Sequence, residues 1–187
     1  MIFLSARWFP LVIICVIVLN AIILITPSCK SGTEKPRTNN SENTQEGLIR
    51  NQQQIIRDEA LEIEDYINRR NLEMTSTKTG LRYDIYFRGA GKILSADENV
   101  VKLNYKISLL DGTPVYSSDS TGAMQFKIGK SDVAGGLQEG VKLMHEGDKA
   151  IFILPAHLAY GLTGDGNQIK HYATLVVDAE LLEISDK

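Results

Sequence analysis

From Gly80 onward the hydrophobic residues of this chain recur at every second position, and that period confines the segment to strands. Leu81, Tyr83, Ile85 and Phe87 alternate with Arg82, Asp84, Tyr86 and Arg88, which gives an extended segment one apolar and one polar face. Gly89-Ala90-Gly91 interrupts the run. Val101, Leu103, Tyr105, Ile107 and Leu109 alternate again and lead to Asp111-Gly112. That pair suits a two-residue hairpin turn, because both residues tolerate positive φ. Val115 to Ser118 is then the returning strand, Phe126 and Ile128 lie on another, and Ala150–Leu154 and Ala173–Ile184 complete the set. The alternation fails at Leu137–Leu143, where Leu137, Val141 and Met144 fall on one side of a short helix. The fold class predicted is α+β, an antiparallel sheet with one internal helix.

Upstream the period changes. Ile49, Ile56, Ala60, Ile63 and Ile67 form one stripe on a helix predicted over residues 46–73. Asp65 and Arg69 are spaced for an i, i+4 pair on its polar side. The stripe packs on the following domain or on a second copy of the chain, giving a dimer; the other reading is a partner-binding arm.

Leu11–Ile25 is an apolar run broken by Asn20. About 15 residues suit the apolar region of a signal peptide, whereas a full span needs about 20. Ser28-Cys29 closes it and resembles a bacterial lipoprotein signal, which makes Cys29 the lipidated residue and 1–28 the signal peptide. An uncleaved membrane anchor is the other reading. Residues 29–45 are polar and read as a flexible tether. Lys30-Ser31-Gly32 carries no acidic residue, which favours the periplasmic side of the bacterial envelope over the cell surface.

A net charge of −3 gives no footprint for nucleic acid. Cys15 and Cys29 are the only cysteines, so the strand-rich segment has no disulfide framework. His145, His157 and His171 lack metal-ligand spacing, and no nucleotide-binding or Ser-His-Asp signature occurs. No cofactor or metal is expected.

Several motifs come in a set order. They are Tyr105 closing an apolar strand, Leu110-Asp111-Gly112-Thr113, Phe126-Lys127-Ile128-Gly129-Lys130, Gly136-Leu137-Gln138-Glu139-Gly140-Val141, Pro155 and Ala159-Tyr160-Gly161. In this order they resemble the FK506-binding-protein (FKBP) type of peptidyl-prolyl isomerase over residues 80–185. The resemblance implies a curved antiparallel sheet wrapped around a short helix, with a substrate groove for proline-containing polypeptides. It implies a pocket of Tyr105, Val115, Tyr116, Met124, Val133, Ala134, Leu137, Tyr160, Ile169 and Val177, in which the Ala134 N–H meets the substrate carbonyl. The family's Phe-Asp pair is Val115-Tyr116 here, so its pocket carboxylate is absent. Its aromatic residues at the next strand, the helix and the last strand are Met124, Leu137 and Val177, and its Pro-Pro pair is Lys170-His171. Leu143-Met144-His145 and the apolar leader look most like the gliding-motility-associated FKBP-type lipoproteins of the Bacteroidetes. The expected function is X-Pro bond isomerisation during protein folding in the envelope. The alternative is a catalytically weak polypeptide-binding chaperone or assembly factor; a structural subunit of a membrane complex is the third reading.

Overall fold

The computed structural model of this chain describes residues 39–91 and 99–185. The chain divides into two compact units, Met1–Gln45 and Glu46–Lys187. Of the first, only 39–45 are described, as helix; the expected signal peptide, Cys29 and most of the tether lie outside the described residues.

Helix α1 runs Asn39–Arg70. It begins at Asn39 rather than at residue 46, because extending a formed helix through a polar segment adds one hydrogen bond for each residue fixed. It ends at Arg70 rather than 73. Asn71 takes φ +50°, and the bonds Leu72 N–H to Ile67 O (3.1 Å) and Asn71 N–H to Asn68 O (3.2 Å) close the helix as a Schellman cap. Downstream come β1 (Thr75–Ser76), β2 (Arg82–Phe87), β3 (Val100–Leu109), β4 (Pro114–Ser117), α2 (Ser118–Thr121), β5 (Met124–Lys127), α3 (Gly135–Val141), β6 (Lys149–Leu154), a 3₁₀ turn (Ala156–Leu158) and β7 (Leu175–Ser185).

The strands form one sheet in the order β1-β2-β6-β7-β3-β4, with β5 also on β3. Every pairing is antiparallel. The long strand β3 shares one edge with β7 along its whole length, and its other edge is divided between β4 and β5. Alternation sends Val101, Leu103, Tyr105 and Ile107 to the inner face, where they meet Leu137, Val141 and Met144 of the α3 region and Phe152 and Leu154 of β6. Ile153 and Val176 point to the outer face and receive Ile63 and Tyr66 of α1, with Ile67, Leu72, Met74 and Leu110 around them.

Only the C-terminal part of the predicted stripe is therefore used. Ile63 is buried, whereas Ile49 and Ile56 are exposed, together with Leu48, Ile55 and Leu61. Tyr66, which an aliphatic stripe omits, takes a central place instead, with the Arg70 guanidinium 4.6 Å from its ring centroid. Phe87 also departs from the expected alternation and is exposed. The β2–β6 register shifts between Asp84 and Phe87, and such an irregularity re-aims the side chains beyond it.

The hairpin turn is longer than the two-residue form expected from Asp111-Gly112. Gly112 N–H bonds Leu109 O at 2.9 Å and Leu109 N–H bonds Thr113 O at 2.9 Å, so three residues make the loop. Gly112 alone of these has positive φ, +89°, and Asp111 Oδ1 accepts from Thr113 N–H at 2.8 Å. That side-chain bond lets Asp111 stay in an ordinary backbone conformation while glycine supplies the bulge. The Leu143-Met144-His145 stretch is structural: Met144 is fully buried, and His145 N–H bonds Asp148 Oδ2 at 2.8 Å.

Candidate functional site

The ten expected pocket residues come from distant parts of the chain. Tyr105 is on β3, Val115 and Tyr116 on β4, Met124 on β5, and Leu137 on α3. Val133 and Ala134 precede α3, Tyr160 and Ile169 lie in the long segment between the 3₁₀ turn and β7, and Val177 is on β7. All ten join or pack against the single cluster on the inner face of the sheet. Tyr105, Ala134, Leu137, Ile169 and Val177 are buried, while Val115, Tyr116, Met124, Val133 and Tyr160 are half-buried. The buried five make an apolar floor, and the half-buried five bring that floor to the surface.

Two donors on this face meet no acceptor among the described residues. Ala134 is the N-cap of α3, and its carbonyl accepts from Leu137 N–H and Gln138 N–H at 3.0 and 3.1 Å. No acceptor among the described residues meets its own N–H. The loop carrying it is held by Gln138, a residue the sequence reading passed over. Gln138 Nε2 donates to Val133 O at 2.7 Å and to Ser131 O at 3.2 Å, and its Oε1 accepts from Gly129 N–H at 2.8 Å. One amide thus fixes the segment that presents Val133 and Ala134. The second donor is Tyr160, whose hydroxyl bonds no described residue. Burial, followed by the charge of Asp165 and the neighbouring Tyr116 and Tyr105, raises its pKa, so the phenol stays protonated at neutral pH.

Tyr105 is the less available tyrosine. Its hydroxyl pairs with Thr121 Oγ1 at 2.8 Å, and its backbone N–H and carbonyl both engage Ser118 Oγ. It serves as a fixed wall.

Position 116 has no carboxylate of its own, but Asp165 brings one to it from the segment before β7. Tyr116 Oη donates to Asp165 Oδ2, and Asp165 Oδ1 accepts from the N–H groups of Asn167 and Ile169 at 2.9 and 2.8 Å. Burial pushes the Asp165 pKa up, but the bonds from Tyr116, Asn167 and Ile169 outweigh it and hold the carboxyl below its usual range. The same bond raises the Tyr116 pKa. Tyr116 is therefore more than a rim residue: it ties β4 to the segment bearing Tyr160 and Ile169. The turn-forming run Gly164-Asp165-Gly166-Asn167 is the sequence signal that marks an acid folding its own loop. Among the described residues no group of three or more His, Cys, Asp or Glu side chains is placed to hold a metal ion.

The family model described as "FKBP-type peptidyl-prolyl cis-trans isomerase" matches residues 91–182. A relative from Neisseria meningitidis serogroup B, the "probable FKBP-type peptidyl-prolyl cis-trans isomerase FkpA", is 40% identical over 110 residues, which is 58% of this chain and 39% of that protein. The macrophage infectivity potentiator of Trypanosoma cruzi is 35% identical over 108 residues, 58% of this chain and 55% of that protein. This chain thus spans about half the length, or less, of these curated relatives. The crystal structure of FkpA from Escherichia coli superimposes with a TM-score of 0.58 at 26% identity, covering 98% of this chain and 84% of that one. The antiparallel sheet, the short helix against its inner face and these matches agree: the fold is FKBP-like, and residues 91–182 match the FKBP-type peptidyl-prolyl cis-trans isomerase family.

Proposed function

We propose that this chain isomerises X-Pro bonds of polypeptides by a non-covalent route. The observation that carries the reading is the apolar inner face with two donors that no described acceptor meets, the Ala134 N–H and the Tyr160 hydroxyl. Rotation about an X-Pro bond must break amide resonance, with a barrier of roughly 20 kcal/mol. The twisted amide has lost charge separation, so an apolar, water-poor floor favours it over the planar amide. A fixed donor on the substrate carbonyl holds the peptide in register while the proline side turns. No general acid, base or nucleophile is needed. Tyr160→Phe should lower kcat/KM for an X-Pro peptide about tenfold, the scale of one lost donor bond, without moving the melting temperature. Unchanged kcat/KM would remove Tyr160 from the machinery.

A second reading is a binding module with little catalysis. It is favoured by Val115, Leu137 and Val177, whose aliphatic side chains make a floor with fewer shape-fixing walls than aromatic residues give.

The site of action we propose is the periplasmic side of a bacterial membrane, through lipid on Cys29. The support is the apolar run 11–25 followed by Ser28-Cys29, and a link to gliding motility rests on sequence resemblance alone. Mass spectrometry of the mature protein should find a lipidated Cys29 at the N-terminus; an unmodified chain beginning near Met1 contradicts it. The exposed Leu48, Ile49, Ile55 and Ile56 of α1 favour a second copy of the chain as partner for this helix. Sedimentation in detergent that finds only monomers rules that out.

A further inference from the structure

The segment that carries Tyr160, Asp165 and Ile169 is tied at both ends to one oxygen that lies outside the family match. Glu59 of α1 accepts, through Oε1, the backbone N–H of Ala156 at 2.6 Å and the hydroxyl of Thr174 at 2.6 Å. Ala156 opens the 3₁₀ turn that leads to Tyr160, and Thr174 immediately precedes β7. Both are buried, at 5% and 7% exposure, so both donors depend on this carboxylate rather than on water. The apolar packing of α1 falls on Ile153 and Val176, just outside the two pinned residues. A cleft of about 440 Å³ with Ile55, Leu110 and Tyr172 in its walls lies on one side of Glu59. Another of about 270 Å³, walled by Ile56, Ala60, Pro155 and His157, lies on the other.

Beyond the bonds to Glu59, the Tyr116–Asp165 bond and the contact of His157 Nε2 with Thr79 O at 2.9 Å, the polar bonds of the segment among the described residues run within it. Gly161 N–H bonds Ala156 O at 2.8 Å and Tyr172 N–H bonds Gly161 O at 2.9 Å. It is a lobe pinned at both ends by Glu59, with Tyr160 four residues beyond the pinned Ala156. We infer that Glu59 is a positioning residue for the groove: helix α1 sets where Tyr160 and Ile169 stand by holding both ends of the lobe on one carboxylate oxygen. The catalytic consequence rests on the isomerase reading above; the positioning itself does not. Displacing α1 releases Ala156 and Thr174 together, and the lobe then samples placements in which the Tyr160 hydroxyl and the Ala134 N–H no longer converge on one peptide.

Hydrogen exchange of the full chain in detergent, read by mass spectrometry, separates the cases. Glu59→Ala should raise exchange across 156–174 roughly tenfold relative to β3 and β7, and lower kcat/KM about tenfold, mainly through kcat. Glu59→Gln should restore most of both, since its amide oxygen still accepts hydrogen bonds. Thr174→Val, which removes one donor, should move both readouts in the same direction by less, and decides the matter if Glu59→Ala does not fold. Lobe exchange unchanged in Glu59→Ala overturns the inference. So does a loss of protection that is equal in lobe and sheet, or a Glu59→Gln variant as impaired as Glu59→Ala. A wild-type chain without isomerase activity overturns the isomerase reading, and the exchange pattern still decides the role of Glu59.

Discussion

Replacing Asp148 by alanine should lower the free energy of unfolding by about 3 kcal/mol, the range for removing one partner of a buried, hydrogen-bonded charge. The Asp148 side chain is fully buried, and Arg88 reaches it at 2.9 Å. Its Oδ1 accepts from Gly89 N–H at 2.7 Å, and its Oδ2 from His145 N–H at 2.8 Å. The carboxylate thus joins the end of β2 to the turn before β6. There the chains come so close that a Cβ on Gly89 would lie 2.4 Å from Glu146 O. Alanine leaves both backbone donors unpaired, and each such loss is costly in a dry site. Burial raises the Asp148 pKa, but the His145 and Gly89 N–H groups and Arg88 outweigh it, and the net shift is downward. A carboxyl whose folded pKa is depressed contributes stability that is complete above its unfolded value, about 3.9, and is lost as pH falls through the folded value. Urea titrations should therefore show the gap between wild type and Asp148→Ala narrowing below about pH 4. A gap that is constant from neutral pH into acid contradicts this assignment.

Gly140→Ala should cost about 2 kcal/mol, although alanine is the better helix former by about 1 kcal/mol. Helix α3 lies against the sheet closely enough that a Cβ at Gly140 would stand 2.6–2.9 Å from the ring of Phe152. Phe152 is fully buried, so the ring has nowhere to retreat without disturbing its neighbours. Gly135 in the same helix is the internal control, because a Cβ there meets nothing within 4 Å. Thermal melts should place Gly135→Ala at or above wild type and Gly140→Ala several degrees below it. Equal melting temperatures for the two variants would mean that the helix does not approach the sheet as described.

Gly136 and Gly140 stand out in the sequence as part of one motif, but their main physical role, close approach to Leu154 and Phe152, depends on a sheet built from residues further along. The same holds more widely. Alternation placed the core-facing residues of β3, because a strand's two faces follow from local order alone. It misplaced Phe87, where a register shift intervened. The turn at Asp111-Gly112 was expected one residue too short, because the Asp111 side chain bonds the backbone two residues on and changes which conformation glycine must supply. The ten positions named from the family resemblance lie in or against one apolar cluster. Asp165 was not legible, since its role depends on Tyr116, 49 residues away in sequence. Glu59 was hidden more deeply. It lies in a helix read only for its apolar stripe, and its partners are 97 and 115 residues distant. A polar contact at that separation leaves no periodic trace.

The central claim is that the face bounded by Ala134 and Tyr160 accelerates X-Pro rotation. Exchange spectroscopy on a short X-Pro peptide, with and without a catalytic amount of the full chain in detergent, tests it directly. Catalysis predicts exchange cross-peaks between the cis and trans proline resonances on a timescale at which the free peptide, interconverting over tens of seconds or more, shows none. Those cross-peaks should weaken when Tyr160 is replaced by phenylalanine. A chain that binds the peptide, shown by shifted amides at Val133 and Ala134, yet leaves its cis and trans forms exchanging at the uncatalysed rate would contradict the claim and leave a binding module in its place.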